Sequence, residues 1–433
     1  ARRSGGLLLL TGSLLATMFG SWGVLGVSSM GYRLGLPGAW YHWAGALGLL
    51  VLGVWGLRRL RALDEVYTLP ELVGRAFGNQ ARVLAAVLIA VAWLGIIAAQ
   101  IVAAGKILTF LGTLSGWWDV SGGNASLAIV LVAVVMCGYT MIGGQQSILR
   151  TDLIQAVVIF VALALLATMA TTSNPGALAE LPASFKRLPV NESFPLSEWA
   201  IVMLTVGVPF LIGPDIYSRV FCSKDFKSAR NAIVTAAILM IPLAFGIAYL
   251  GVLGRGVFGA ELADAQSVTL LLAEGTLPAL LVGLFVAALL AAIMSSADTC
   301  LLTVSTLVSR DIFRVEKEEK SGVRLGRWVV GVAGAIALVL ALWYPDIIGL
   351  MYNSYKIYSP MILAPFLAMM IFPGRIFPPF VGLSAMVLGA AGGLMAIVLQ
   401  STPMTLAAFV LPALPLGYAM AAGKFQTTGK SSS

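Results

Sequence analysis

Residues 291–314 read AAIMSSADTCLLTVSTLVSRDIFR, and they place chemistry where apolar residues are expected. The segment lies in a hydrophobic run long enough to cross a bilayer, yet it carries Ser295, Ser296, Asp298, Thr299, Thr303, Ser305 and Thr306. Hydroxyls and a carboxylate are costly in hydrocarbon unless they meet a partner, an ion or a water-filled path. At helical spacing Ser295, Asp298 and Thr299 share one face. Such a face presents oxygens at membrane depth, and oxygen ligands suit a hard cation such as Na⁺. The pattern implies ion-coupled membrane transport.

The rest of the chain must position that face. Of 433 residues, 59% are hydrophobic and 11% charged, where a soluble domain carries about 25% charged residues. This composition makes the chain an all-α polytopic membrane protein, and the lack of ~10-residue alternating strands excludes a β-barrel. A crossing needs ~20 apolar residues. Twelve spans are predicted, at 6–30, 40–57, 81–112, 125–143, 150–172, 197–219, 229–254, 277–310, 325–344, 347–372, 376–400 and 404–422. Lys and Arg orient them: 21 of the 27 fall on one side of the membrane and only Arg33, Lys186, Arg187 and Arg255 on the other. By the positive-inside rule both ends of the chain are cytoplasmic, in a plasma (inner) membrane. The topology accounts for the net charge of +8 without nucleic acid. Lys106 and Lys356 fall within spans. The loop 255–276 holds an apolar stretch too short to span and is expected to pack as an outer re-entrant or lid helix.

Three scattered cysteines offer no metal-ligand spacing. The one histidine, His42, lies near a helix start beside Trp43 and is expected at the membrane interface. One histidine and no HExxH motif argue against an enzyme.

Two spans are interrupted. Span 1 carries Gly20, Gly23 and Gly26; span 6 carries Gly207, Pro209, Gly213 and Pro214. Glycine and proline free backbone groups, which are tolerated at membrane depth only where buried or lining a cavity. The breaks lie five spans apart, and five is odd, so the second unit enters from the opposite side. This is the signature of an inverted repeat, spans 1–5 (about 6–172) against spans 6–10 (about 197–372), with two extra C-terminal helices at about 376–422 in one transporter domain, 1–433.

Several stretches then match one pattern: GYRLGLPGAWYHW after span 1, AAQIVAAGKIL in span 3, GYTMIGGQQSILRTDLIQ joining spans 4 and 5, GPDIYSRVFCSKDFKSAR after the break in span 6, and the span 8 segment itself. Together they resemble the sodium/solute symporter family of bacterial proline, sialic acid and galactose carriers and sodium–glucose transporters. Family members usually have one further N-terminal helix, for which ARRS at the start reads as the following loop. The resemblance implies a 5+5 inverted-repeat fold, broken helices 1 and 6, and Na⁺-coupled uptake of a small organic solute by alternating access. Carried over by position, the main sodium site falls on Ala16 and Phe19 of span 1 and on Ala292, Ser295 and Ser296 of span 8. A second ion site, present in some members, falls on Asp152, Ser295, Asp298 and Thr299; Asp298 stands where a hydroxyl is usual.

The solute cavity is expected between broken spans 1 and 6, lined also by spans 3 and 10. Its candidates are Ser21, Trp22, Gly23, Gln100, Phe210, Tyr352, Asn353, Tyr355 and Lys356. Lys356 lies ten residues into span 10, about 15 Å deep, and is a candidate partner for a solute carboxylate, Asp298, Asp152 or backbone carbonyls, with snorkelling as the alternative. Lys106 is expected to snorkel or bond locally. Gly23 stands where family sugar carriers have a glutamine, which argues against a sugar; an amino acid or monocarboxylate fits better with Lys356 and the aromatics. The partners are then the solute, one or two Na⁺ and membrane lipid, with Na⁺ the only metal. The alternatives are a transporter-like sensor domain and a proton-coupled carrier of the same fold.

Overall fold

The computed structural model describes residues 5–60, 68–116, 124–143, 145–179, 181–315 and 320–427. Arg2, Arg3, Arg61, Lys317 and Lys430, used above for orientation, lie outside them, as does the side chain of Arg150. Among the described residues, eleven helices are long and apolar enough to cross a membrane, and a bent pair, Leu7–Met18 with Trp22–Leu34, makes a twelfth. The observed spans match the predicted ones to within a few residues: Leu36–Arg59, Asn79–Ser115, Ala125–Ile142, Thr151–Ser173, Leu196–Val220, Phe226–Phe258, Ala279–Ile312, Ser321–Trp343, Ile347–Ile371, Pro379–Leu399 and Thr402–Ala421.

Local signals set many of the boundaries. Asp225 accepts from the Ser228 N–H at 2.7 Å and starts span 7, Asp346 starts span 10 by accepting from Ile348, and Ser401 starts span 12 by accepting from Met404. Prolines 214 and 379 stand in the first turns of their helices, where a missing N–H costs nothing.

Both predicted breaks are real but unequal. Span 1 bends by 60° between Met18 and Trp22. Span 6 stops at Gly213 (φ −57°, ψ 130°) and resumes at Pro214, continuing as one span. The second half of span 1 packs on span 7, where backbone approaches backbone: a Cβ on Gly251 would meet the Ser28 carbonyl, and one on Gly31 the Ala248 carbonyl.

The 255–276 loop forms a short helix, Val268–Thr276. It is held against span 1 by Thr269 Oγ1 to Ser28 Oγ at 2.7 Å and by Tyr32 Oη donating to the Gly259 carbonyl at 2.7 Å. Lys106 of span 3 reaches this loop rather than snorkelling. Its ammonium donates to Asp264 at 2.7 Å and to Gln266 at 3.0 Å. Burial pushes the Asp264 carboxyl up, but the hydrogen bond and charge of Lys106 outweigh it and hold the group below the usual carboxylate range.

Candidate functional site

Span 8 crosses beside both breaks, and one of its turns is bonded to four different spans. Ser296 faces span 1. Its hydroxyl donates to the Thr17 carbonyl at 2.8 Å, with the Ala16 carbonyl at 3.4 Å and that of Ala292 at 3.2 Å. These carbonyls gather there because the first half-helix ends at Phe19 (φ −96°, ψ 35°), which leaves its last turn without onward helical partners. Gly20 lets the two spans close: a Cβ there would collide with the Ser296 side chain and approach Gln100 Oε1 at 3.1 Å.

Ser295 turns the other way. Its hydroxyl donates to Asp152 Oδ1 of span 5 at 2.5 Å, while Ser13 of span 1 donates to Asp152 Oδ2 at 2.5 Å. Asp152 is fully buried. Beside it lies Arg219 of span 6, 6% exposed. The Arg219 guanidinium donates to Thr299 and Thr17 hydroxyls at 2.6 Å each and to Ser13 at 3.3 Å, and stands 3.8 Å from Asp152 Oδ2.

The predicted sites are therefore partly assembled and partly divided. Ala16, Ala292 and Ser296 converge. Ser295 is committed to Asp152. Phe19 was expected to contribute its backbone carbonyl, and its ring packs between His42 and Phe160. Asp298 leaves the Asp152 group and accepts a hydrogen bond from Thr140 of span 4. Sequence reasoning counted Arg219 as an inner-end charge and so missed it. The signal was present: Asp215 and Arg219 are i and i+4 on a helix that starts at a break, which puts both near membrane depth.

The cavity between the breaks has a volume of about 40 Å³. Trp22, Gln100, Phe210 and Tyr355 line it as expected, joined by Thr17, Met18, Trp93, Asp215 and Ser296. Gln100 Oε1 accepts from the Ser21 N–H at 3.1 Å and so pins the break. Ser21, Gly23, Tyr352, Asn353 and Lys356 are not among the cavity's lining residues. Lys356 corrects the expected lining: it is not among those residues, and its ammonium lies 4.8 Å from the Tyr352 ring centroid. A long helical side chain leans toward the helix N-terminus, which carries Lys356 one turn back. His42 is a second correction. It is fully buried, not interfacial, and sits edge-on to Phe19 and Phe210. The turn Leu36–Ala39 extends its span, and Gly45 and Gly23 make room for the packing.

The profile of the sodium:solute symporter family matches residues 1–376. The chain belongs to the sodium:solute symporter family. It is a multi-pass membrane transporter and not an enzyme. Among curated relatives, the osmoregulated proline transporter OpuE of Bacillus subtilis (strain 168) is 26% identical over 353 residues, covering 74% of this chain and 67% of that one. The high-affinity proline transporter PutP of the same organism is 26% identical over 341 residues, with 74% and 69% covered. The fold is shared with a Na⁺-coupled sialic acid symporter in a substrate-bound outward-open state (TM-score 0.71, 17% identity, 98% of this chain and 91% of that one). It is also shared with Mhp1, a nucleobase-cation-symport-1 family transporter (TM-score 0.66, 12% identity, 97% and 94%). These likenesses establish the inverted-repeat symporter fold with broken helices 1 and 6.

Proposed function

We propose that this symporter-family chain imports an amino-acid-like solute together with one Na⁺ by alternating access, with both chain ends on the cytoplasmic side of a plasma membrane. The observation that carries this is Ser296. Its hydroxyl lies within 3.4 Å of the carbonyls of Ala16, Thr17 and Ala292, and the same residue lines the solute cavity. A cation held by those neutral oxygens stabilises the bend in span 1 and so shapes the cavity; solute and ion then favour the same state, which is coupling. Ser295 joins the ion only by leaving Asp152.

Arg219 supports a count of one. Its guanidinium already supplies a positive charge beside Asp152, Ser295 and Thr299, where a second Na⁺ would sit. The proline transporters among the relatives make proline the first solute to test. The test is uptake of labelled L-proline and a wider amino-acid panel into proteoliposomes under an imposed Na⁺ gradient. Uptake that rises with the gradient and collapses with a Na⁺ ionophore is expected. A panel showing no Na⁺-stimulated uptake overturns the reading, and a proton gradient driving uptake instead would favour the proton-coupled alternative.

A further inference from the structure

We propose that the solute this cavity accepts carries a positively charged nitrogen, and that Asp215 is the residue that recognises it. The inference rests on the symport reading and narrows its substrate class.

The cavity lining combines four rings, those of Trp22, Trp93, Phe210 and Tyr355, with one carboxylate, Asp215. No Arg, Lys or His is among its lining residues. Asp215 occupies the first turn of the helix that restarts after Gly213. Among the described residues no side chain hydrogen-bonds or ion-pairs with its carboxylate. The nearest cation, Arg219, donates to the backbone carbonyl of Asp215 at 3.1 Å and shares its charge between Asp215 and Asp152, and the backbone N–H groups of Asp215 and Ile216 face the carboxylate.

A carboxylate that no side chain hydrogen-bonds, and whose nearest cation is shared with a second buried carboxylate, is under-compensated until a solute cation arrives. A solute ammonium satisfies it directly, and the faces of Trp and Tyr rings attract the same cation. A nitrogen-free carboxylate faces the reverse: its charge opposes Asp215, and the cavity offers it no basic side chain. The sequence alone favoured a carboxylated solute because Lys356 was expected in the cavity. With Lys356 outside and Asp215 inside, the sign of the recognised charge reverses.

The test uses size-matched triplets in thermal-shift assays of the purified protein, in Na⁺ and in K⁺ buffer: L-proline, pyrrolidine and cyclopentanecarboxylate; L-leucine, isopentylamine and 4-methylpentanoate. Na⁺-dependent stabilisation is expected only from members that carry nitrogen. Asp215→Asn is expected to weaken their apparent affinity by about tenfold or more, and Asp215→Glu, which keeps the charge, to recover part of it. The inference is overturned if the nitrogen-free members stabilise equally well, or if Asp215→Asn binds within twofold of the parent. If no member gives a Na⁺-dependent shift, the symport reading falls and takes the inference with it.

Discussion

Replacing Arg219 by Gln tests the charge arrangement beside span 8 most directly. The guanidinium stands 3.8 Å from Asp152 Oδ2, with both side chains buried. At about 4 Å and an effective dielectric near 20 the attraction is about 4 kcal/mol. Removing one partner of a buried pair costs about 3–5 kcal/mol because the other charge is left behind. The two serine hydroxyls on Asp152 remain, so the lower end, about 3 kcal/mol, is expected for Arg219→Gln in Na⁺-free buffer. Asp152→Asn in the same background should return most of it. The assay is melting of the purified protein across a Na⁺ series, for the parent, both single variants and the double variant. One bound Na⁺ stabilises by about 1.4 kcal/mol per tenfold rise in concentration once its site is saturated. The parent should show that slope. Arg219→Gln should approach about twice it, because a Na⁺ can then enter beside Asp152, Ser295 and Thr299. The reasoning is refuted if Arg219→Gln melts like the parent with an unchanged Na⁺ slope, or if the double variant is as unstable as the sum of the singles.

Three further outcomes are expected. Ser296→Ala should weaken the apparent Na⁺ affinity in transport by about tenfold, whereas Thr306→Ala, whose hydroxyl bonds only to its own helix at Leu302, should leave it near the parent value; equal effects would count against the ion's placement. Gly20→Ala should cost about 1–3 kcal/mol in melting and suppress uptake, since the new methyl drives into Ser296; normal uptake would show that the two spans need not touch. For the Lys106–Asp264 pair, the depressed Asp264 carboxyl contributes stability above its unfolded value near pH 4. That contribution is lost as pH falls through the lower folded value. With Asp264 partly exposed, Asp264→Asn should cost under about 1 kcal/mol at neutral pH and nothing in acid, read as a melting difference that shrinks as pH falls below about 4; a difference that grows in acid would contradict the pairing.

The spans were legible because a membrane crossing is written in twenty consecutive apolar residues, and the breaks because glycine and proline act locally. Ser296 and its span 1 carbonyls were reachable by resemblance. What escaped was the direction of side chains. Lys356 is deep by residue count, but its four methylenes run back along the helix to Tyr352. His42 is near a helix start in sequence, yet a short turn ahead of it lengthens the span. Ser295, Asp298 and Thr299 do share a helical face, as periodicity required, but three different spans pack against that face and divide it. Arg219 and Asp215 were hidden by a rule that treats basic residues near a span end as topology alone.

The turn from Ser295 to Thr299 has a kinetic consequence. Its four polar side chains are latched to spans 5, 1, 4 and 6 in turn. A helix fastened on every side cannot drift: a small slide or rotation strains all four latches together and releases none into water. Movement of span 8 relative to its neighbours is then all-or-none, like a bolt rather than a hinge. Such a carrier should dwell in few discrete postures and leak little ion between them, and loosening any single latch should show first as uncoupled Na⁺ flux rather than as slower uptake.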